Sequence, residues 1–437
     1  MDGEPHIANV ESLARKHLKL EQNAGCQVTF YAQGGFNKLY KIETEAGCFL
    51  VHVTLPVDPF NKTNSEVATI TFVHLHTDIP VPQIIAFDDC SENELGFEYI
   101  LMEMLPGETS RTRWRKLSGD AKRKLVKQVA NYQAQLSCHR VNYIANWFAR
   151  PGALSISKQS PRSTIAADTK QTPKEPPRDL IYLGKVVSMI FFWGDHITQD
   201  VPRGPFEKSG DWIRARLELV LTDQETIKKT SDDEDDIEEA EDAIEVVERL
   251  LELIPMVFSS SPGTSELFVL FHDDLSMQNI LVDGDGEITG IIDWECVSTV
   301  PLWRASEPEF LRGRDRNTEP NRDEYAPDNG EEDGGGLTKE ALDNEGVNSL
   351  YWEHLLEYEL TMLRDLYSEV PDISRFVVEM EAAIPKWSDK VPGSAIQADF
   401  EEAVQNCDNS WRTKKIQSWL DAIEKGQYWS LRKSFLE

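Results

Sequence analysis

The sequence predicts an α+β fold in two lobes. Its 437 residues exceed one ordinary domain and suit two lobes or two domains with insertions. Strand-like segments dominate before about residue 105, and helical patterns dominate after it, as in residues 122–136 and in the stripe Leu356, Leu360, Leu363, Tyr367. We therefore expect an N-terminal lobe at 1–105 and a larger, mainly helical C-terminal lobe at 106–437.

The first predicted element of the N-terminal lobe is a glycine-bearing hairpin. Gly34 and Gly35 lie between VTFYAQ and LYKIE, two stretches of strand-like composition. Glycines permit a phosphate to approach the backbone closely, although two adjacent glycines are more often an ordinary tight turn. The next segment, CFLVHVTLP at residues 48–56, reads as a third strand and carries His52.

A helix is predicted in SEVATITFVHLH, where apolar residues recur with helical spacing from Val67. Glu66 lies early in it, and two interpretations stay open. Thr63 and Glu66 fit a capping box, in which the Glu side chain accepts a backbone hydrogen bond at the helix start. Glu66 is equally placed to pair with a cation on the third strand. FEYILMEMLPG, residues 97–107, then predicts a buried strand that ends at a Pro-Gly break, which is typical of a hinge.

The strongest chemical pattern is FHDDLSMQNILVDGDGEITGIIDWE at residues 271–295. Asp274 and Asn279 have the interval of a kinase catalytic loop, in which the Asp orients the acceptor hydroxyl and the Asn binds metal. Two short apolar strands around GDG predict a hairpin that brings Asn279 near Asp293, a second metal carboxylate. The alternative is that the GDG turn is merely a surface hairpin, but joint occurrence of all these features by chance is improbable.

His272 belongs to the same catalytic loop. Because a carboxylate already fills the role of base, His272 is better interpreted as a residue that braces the loop than as one that transfers protons. A satisfied structural histidine is the alternative.

With these motifs, the chain resembles the aminoglycoside phosphotransferase family, and its fungal branch in particular, within the kinase-like small-molecule kinases that also include choline kinases. The resemblance runs from about residue 30 to about residue 310, through GGFNKLYKI, VTLPVDPFNKTNSEVAT, HTDIPVPQIIAFD and LGFEYILMEMLPG. It implies a bilobal protein-kinase-like fold, with an antiparallel sheet plus a helix in the N-lobe. It also implies Mg·ATP in the cleft, Asp274 as catalytic base, and Asn279 and Asp293 as metal ligands.

The resemblance also implies the nucleotide contacts. The expected cofactor-binding residues are Gly34, Gly35, His52, Glu66, Glu103 and Met104, with the last two near the adenine. His52 departs from the pattern, since related chains place Lys or Arg there to contact the phosphates. Lys38 or Lys41 on the preceding hairpin is the candidate substitute, and contact with Glu66 would favour a charged His52. A simple cross-strand side chain is the other interpretation of His52.

Composition excludes several function classes. A formal charge of −31 disfavours nucleic-acid and anionic-membrane surfaces but does not identify the acceptor. The resemblance implies a small-molecule acceptor as the partner, and no protein partner is predictable. Exposed insertions are expected near 155–178, 229–242 and 312–346, and the last two carry part of this negative charge. Six scattered cysteines and the absence of a signal-like N-terminus favour a cytoplasmic location, and no apolar run reaches the length of a membrane span.

Taken together, the residues predict an ATP- and Mg²⁺-dependent phosphotransferase that acts on a hydroxyl of a small molecule. The alternative is a pseudokinase, an interaction protein whose nucleotide binding is weakened because His52 replaces the expected cation. A protein kinase is disfavoured, because Trp294 follows Asp293 where an apolar-Gly pair is expected.

Overall fold

The computed structural model describes residues 4–150, 180–258, 265–305, 309–311, 316–321, 325, 349–375 and 393–436. The insertion predicted at 155–178 lies outside the described residues, as does most of the one at 312–346. Two described parts of the latter contact the C-terminal lobe. Arg316 forms an ion pair with Glu357 at 2.6 Å, and the Tyr325 hydroxyl hydrogen-bonds His354.

The N-terminal lobe is a five-stranded antiparallel sheet between two helices. Its elements are α1 (Ile7–His17), β1 (Cys26–Gln33), β2 (Asn37–Thr44), β3 (Gly47–Thr54), α2 (Asn61–His76), β4 (Ile84–Asp88) and β5 (Glu98–Glu103). The strand order is β1-β2-β3-β5-β4. Alternate residues of β3 face opposite sides of the sheet. Val51 and Val53 pack in the core beneath α1, whereas Leu50 and His52 face the side of α2.

Helix α2 corrects one sequence interpretation. The helix begins at Asn61, and its N-cap residue, Phe60, makes no side-chain capping bond. Thr63 therefore lies inside the first turn rather than at the N-cap, so the capping box of Thr63 and Glu66 is wrong. The helix start is held instead from another strand, because the Phe60 N–H donates to Glu98 Oε1 at 2.7 Å.

The C-terminal lobe is mainly helical with short strands. Its elements are β6 (Glu108–Thr109), α3 (Ser110–Arg113), α4 (Gly119–Ser137), β7 (Arg140–Val141), β8 (Trp147–Ala149), β9 (Ile181–Leu183), α5 (Met189–Phe192), α6 (Ser209–Thr230), α7 (Glu234–Val257), β10 (Phe268–Phe271), β11 (Ile280–Val282), β12 (Ile288–Ile291), β13 (Ser298–Pro301), α8 (Ser349–Ser368), α9 (Gly393–Asn406), α10 (Ser410–Glu424) and α11 (Leu431–Leu436). The small sheets have the orders β13-β10-β7, β12-β11-β6 and β8-β9. The predicted α+β class, with an N-lobe sheet plus helix and a mainly helical C-lobe, is confirmed.

The acidic segment near 229–242 is exposed but is not a loop. Residues from Glu234 onward already form the first turns of α7, which begins next to the end of α6. Three acidic residues in that first turn interact favourably with the positive end of the helix dipole. Asp233 caps the helix by accepting the Asp235 N–H at 2.9 Å.

Helix α2 is packed against the C-terminal lobe as well as the sheet. The Phe72 ring stacks on Trp147 of β8, with centroids 4.8 Å apart, and the Ala149 N–H donates to Asn64 Oδ1 at 2.8 Å. Residues of α2 therefore belong to the same hydrophobic cluster as Ile280 and Ile291 of the β11–β12 hairpin. Among the described helices, none has the length and apolar character needed to cross a bilayer.

Candidate active site

The catalytic loop follows β10, whose four residues are buried between β7 and β13. Asp274 is exposed to the cleft, and Asn279 is buried. The Asn279 Nδ2 atom donates to both Asp274 Oδ2 and the Asp274 carbonyl oxygen, each at 2.9 Å. These bonds fix the amide so that its nitrogen faces Asp274, which leaves the amide oxygen as the atom that could ligate a metal.

The β11–β12 hairpin brings Asp293 to the same place. The Ile292 N–H donates to the Asn279 carbonyl at 3.0 Å, so the two candidate metal residues lie at neighbouring strand ends, as expected. Asp293 has a left-handed backbone with φ of 64°. Solvent reaches its side chain from the cleft, but the surrounding protein and then the charges of Glu295 and Glu66 raise the pKa of the carboxyl to about 7.

Chemically, this donor set fits Mg²⁺. Carboxylate and amide oxygens are the hard ligands that Mg²⁺ prefers. Burial, and then the charges of Glu295 and Glu66, disfavour ionisation of Asp293, and a bound cation would favour it.

His272 lies behind this site in the position of a brace. It is fully enclosed, its Nε2 atom donates to the Ile292 carbonyl at 3.1 Å, and its ring contacts Trp294 with centroids 4.8 Å apart. Burial lowers the pKa of the imidazole, so the ring is neutral. It thereby links the catalytic loop to the segment that carries Asp293.

His52 and Glu66 meet beneath the sheet. His52 Nδ1 lies 3.4 Å from Glu66 Oε1, and both side chains are buried. Burial opposes ionisation of Glu66, but the neighbouring His52 and Lys62 outweigh it and hold the pKa of the carboxyl below its usual range. The ion-pair geometry expected for Glu66 is therefore present.

Lys62 is a residue of this site that sequence reasoning missed. It lies one helical turn before Glu66 on α2 and is 0% exposed. Its ammonium group donates to Asn37 Oδ1 at 2.9 Å and forms an ion pair with Glu295 Oε2, which also accepts the Asn37 amide at 2.5 Å. The spacing from Lys62 to Glu66 was a signal that both side chains share one helix face.

The two lysines proposed as substitutes for a cation at His52 are engaged elsewhere. Lys38 lies on the β2 face opposite to His52, and its Nζ atom pairs with Glu4 at 2.5 Å. Lys41 pairs with Glu43 of the same strand at 2.7 Å. Lys62, in contrast, contacts both Asn37 beside the glycine hairpin and Glu295 beyond Asp293.

The glycine hairpin is formed as predicted. Gly34 and Gly35 connect β1 to β2, and a side chain at either position would meet no atom within 4 Å, so the turn borders open space. Next to them, Phe36 contacts the C-terminal lobe. Its ring lies 5.3 Å from Phe192 and 6.1 Å from Trp193, measured between centroids, in edge-on geometry.

The backbone N–H groups of the two predicted hinge residues, Glu103 and Met104, already form hydrogen bonds within the N-terminal lobe. The Glu103 N–H donates to the Gln83 carbonyl, and the Met104 N–H donates to the Cys48 carbonyl at 3.2 Å. Both N–H groups are thus already used within the lobe. Recognition of adenine here would have to use other backbone atoms.

A groove of about 610 Å³ lies in the C-terminal lobe beside the catalytic loop. Its walls include Asp273, which precedes the candidate base Asp274, and the rings of Trp193 and Trp212. Five carboxylates line it against two arginines: Asp195, Asp223, Asp273, Glu401 and Asp408 against Arg216 and Arg304. Arg216 is already paired with both oxygens of Glu401, at 2.6 and 2.7 Å. The groove therefore has an excess of negative charge.

The fold and this arrangement of residues define a phosphotransferase-type cleft. The chain belongs to the phosphotransferase enzyme family, whose profile matches residues 27–303. It is 24% identical over 331 residues to a subtelomeric hrmA-associated cluster protein of Aspergillus fumigatus, covering 67% of this chain and 62% of that protein. It is 23% identical over 343 residues to the altered inheritance of mitochondria protein 9, mitochondrial, of Saccharomyces cerevisiae, covering 70% of this chain and 54% of that protein.

The chain thus matches about three fifths or less of the length of these two relatives. Among solved structures, a putative aminoglycoside phosphotransferase from Ralstonia eutropha is similar with a TM-score of 0.41 and 12% identity, covering 94% of this chain and 99% of that one. A thermostable mutant of APH(4)-Ia, in a ternary complex with AMP-PNP and hygromycin B, has a TM-score of 0.42 and 13% identity, covering 95% and 98%. Similarity at this level does not assign a substrate.

Proposed function

We propose that the protein is an ATP- and Mg²⁺-dependent kinase that phosphorylates a hydroxyl group of a small molecule. The observation that carries the proposal is the Asn279 side chain, which is fixed against Asp274 at 2.9 Å while its backbone carbonyl accepts the N–H of the residue before Asp293. One residue thereby couples the candidate base to the candidate metal carboxylate.

In the proposed reaction, this chain positions groups more than it performs covalent chemistry. Bound Mg²⁺ would neutralise charge on the ATP phosphates and would be held by Asn279 and Asp293. Asp274 keeps one carboxylate oxygen on Asn279, which leaves the other to orient the acceptor hydroxyl and accept its proton. The Gly34-Gly35 turn would cover the phosphates.

The groove beside Asp273 is the proposed acceptor site. Its surplus of carboxylates and the exposed ring of Trp193 favour a hydroxyl compound that also carries an amine, since aromatic faces and carboxylates both attract cations. The Trp212 ring is buried and already carries the Arg216 guanidinium over its face. Neither family membership nor the relatives named above decide among such compounds.

The test is Mg²⁺-dependent ATP binding by calorimetry, followed by a screen of amine-bearing hydroxyl compounds for ATP-dependent phosphorylation. We expect the wild-type protein to bind Mg·ATP, Asp293→Asn to lose the Mg²⁺ dependence, and Asp274→Asn to bind but lose turnover by about 10²-fold or more. Asp285→Asn, at the exposed hairpin turn, is the matched control.

The second candidate function is a pseudokinase, which is favoured by the histidine at position 52. Wild-type protein that binds no Mg·ATP, but gains binding in His52→Lys, would establish that candidate and overturn the kinase proposal. We also propose a cytoplasmic location, because the six cysteines are all free thiols. Imaging of the tagged full chain in its host would test this, and a mitochondrial signal would contradict it.

A further inference from the structure

A buried ammonium group stands where the two walls of the nucleotide site meet. The Lys62 side chain of α2 contacts Asn37 and Glu295. Asn37 follows the glycine turn and Phe36, and Glu295 lies two residues beyond Asp293. The wall formed by the glycine hairpin would cover the phosphates, and the wall that carries Asp293 would hold the metal bound to them. The ammonium group therefore lies on the path that a phosphate chain would follow between them.

The cost of burial argues that this lysine has more than a packing role. A fully enclosed ion pair seldom stabilises a fold more than well-packed apolar side chains would. Lys62 is nevertheless kept charged, since Glu295 and Glu66 together outweigh burial and hold the pKa of its ammonium above the usual range. The protein thus maintains a positive charge at this position at an energetic cost.

The ammonium group also keeps hydrogen-bonding capacity. It has three N–H donors, and among the described residues Asn37 and Glu295 accept two of them. One donor is left for a ligand oxygen without breaking either bond. His52, in contrast, has its Nδ1 atom directed at Glu66, and an imidazole has at most two donors.

We propose that Lys62 is the phosphate-binding cation of the nucleotide site, supplied from α2 in place of the lysine or arginine that β3 lacks. This inference rests on the proposed kinase function. Lys62 contacts phosphate oxygens in the bound complex, and the ion pair between His52 and Glu66 fixes the helix face that carries it.

The experiment compares three ligands that differ only in their phosphates: adenosine, ADP and ATP, each titrated by calorimetry at constant Mg²⁺. We expect Lys62→Gln to weaken ADP and ATP binding by about tenfold or more, since a hydrogen bond between charged groups is lost. Adenosine binding should change by less than about twofold, because adenosine offers no phosphate. Lys41→Gln is the matched control and should bind all three ligands as the wild type does.

Two further variants separate phosphate binding from a structural role. Lys62→Gln with Glu295→Gln removes both members of the buried pair, so no unpaired carboxylate remains to unfold the protein, and ADP should still bind about tenfold more weakly than in the wild type. Lys62→Gln with His52→Lys moves the cation back to β3 and should recover ADP affinity without changing adenosine affinity.

Equal losses for adenosine and ADP in Lys62→Gln, or no loss for either, would overturn the inference while leaving the proposed kinase function in place. Wild-type protein that binds neither ADP nor ATP would overturn both. Recovery in the His52→Lys background, limited to the phosphorylated ligands, would support the relocated cation directly.

Discussion

The two sides of the cleft balance charge in opposite ways. On the metal side, Asp293 lies near Glu295 and Glu66, and the pKa of its carboxyl rises to about 7. On the proposed phosphate side, Lys62 is enclosed and two of its three N–H donors are taken by Glu295 and Asn37. One side therefore contains a carboxylate whose ionisation is disfavoured, whereas the other contains a buried ammonium group that is paired.

This difference shows that two acidic residues close in sequence, Asp293 and Glu295, have opposite effects on the stability of the folded protein. A carboxylate without a cation destabilises the folded protein, and a carboxylate paired with a buried ammonium group stabilises it relative to losing either partner. Replacement of each acidic residue by its amide should reveal the contrast, because the shape of the side chain is retained.

The largest expected effect is on the phosphate side. Glu295→Gln should lower the free energy of unfolding by about 3 kcal/mol, because Lys62 then stays buried without its ion-pair partner and with Glu66 as its remaining neighbouring carboxylate. Urea unfolding monitored by tryptophan fluorescence measures this. Glu43→Gln, which breaks the exposed pair with Lys41, is the control and should cost less than about 1 kcal/mol. Similar losses in the two variants would contradict the comparison.

On the metal side, the sign should reverse. Asp293→Asn should raise the Tm of metal-free protein at pH 8, because it removes an ionised carboxylate that its surroundings disfavour. Asparagine also tolerates the left-handed backbone at this position. Added Mg²⁺ should raise the Tm of the wild type and leave that of the variant unchanged. A lower Tm for the metal-free variant would show that Asp293 is not under electrostatic strain.

A smaller effect is expected where the hairpin tip touches the C-terminal lobe. Phe36→Ala removes the contacts with Phe192 and Trp193 and should weaken ADP binding about fivefold, as expected for the loss of about 1 kcal/mol from an aromatic pair. Phe30→Ala, on β1 against Tyr40, is the matched control. Equal effects on ADP affinity would indicate that the tip contact does not hold the hairpin.

The smallest effect concerns the turn of the metal hairpin. Asp283 accepts the Glu287 and Asp285 N–H groups, and these bonds lower the pKa of its carboxyl from 3.8. The carboxylate therefore adds stability above pH 4 that is lost as the pH falls through its lowered pKa. Asp283→Asn should slightly reduce the Tm at pH 7 and progressively less below pH 4, as measured by calorimetry. A difference in Tm that does not change with pH would contradict this.

The sequence was most informative where the site is local. Asp274, Asn279 and Asp293 lie within one loop and one hairpin, so their spacing and the apolar strands predicted the geometry that brings Asn279 to both. The α+β class was equally accessible, since the change from strand-like to helical periodicity near residue 105 is a property of the chain itself.

The contacts around Lys62 could not be predicted from local sequence patterns. Asn37 and Glu295 are separated by 258 positions and meet only after both lobes have folded. The spacing from Lys62 to Glu66 indicates a shared helix face, but no local pattern shows that this face is buried against Asn37 and Glu295. Similarly, the capping box at Thr63 failed because Glu98, on a distant strand, secures the start of α2.

The attachment of α2 to β8 has a consequence for how substitutions spread. Phe72 stacks on Trp147, and Asn64 accepts the backbone N–H of Ala149, the last residue of β8. The helix that carries Lys62 and Glu66 is thus anchored in the larger lobe by residues between and beyond them. Substitutions in β8, a strand of three residues, should therefore shift the helix that carries Lys62 and Glu66 without touching either side chain.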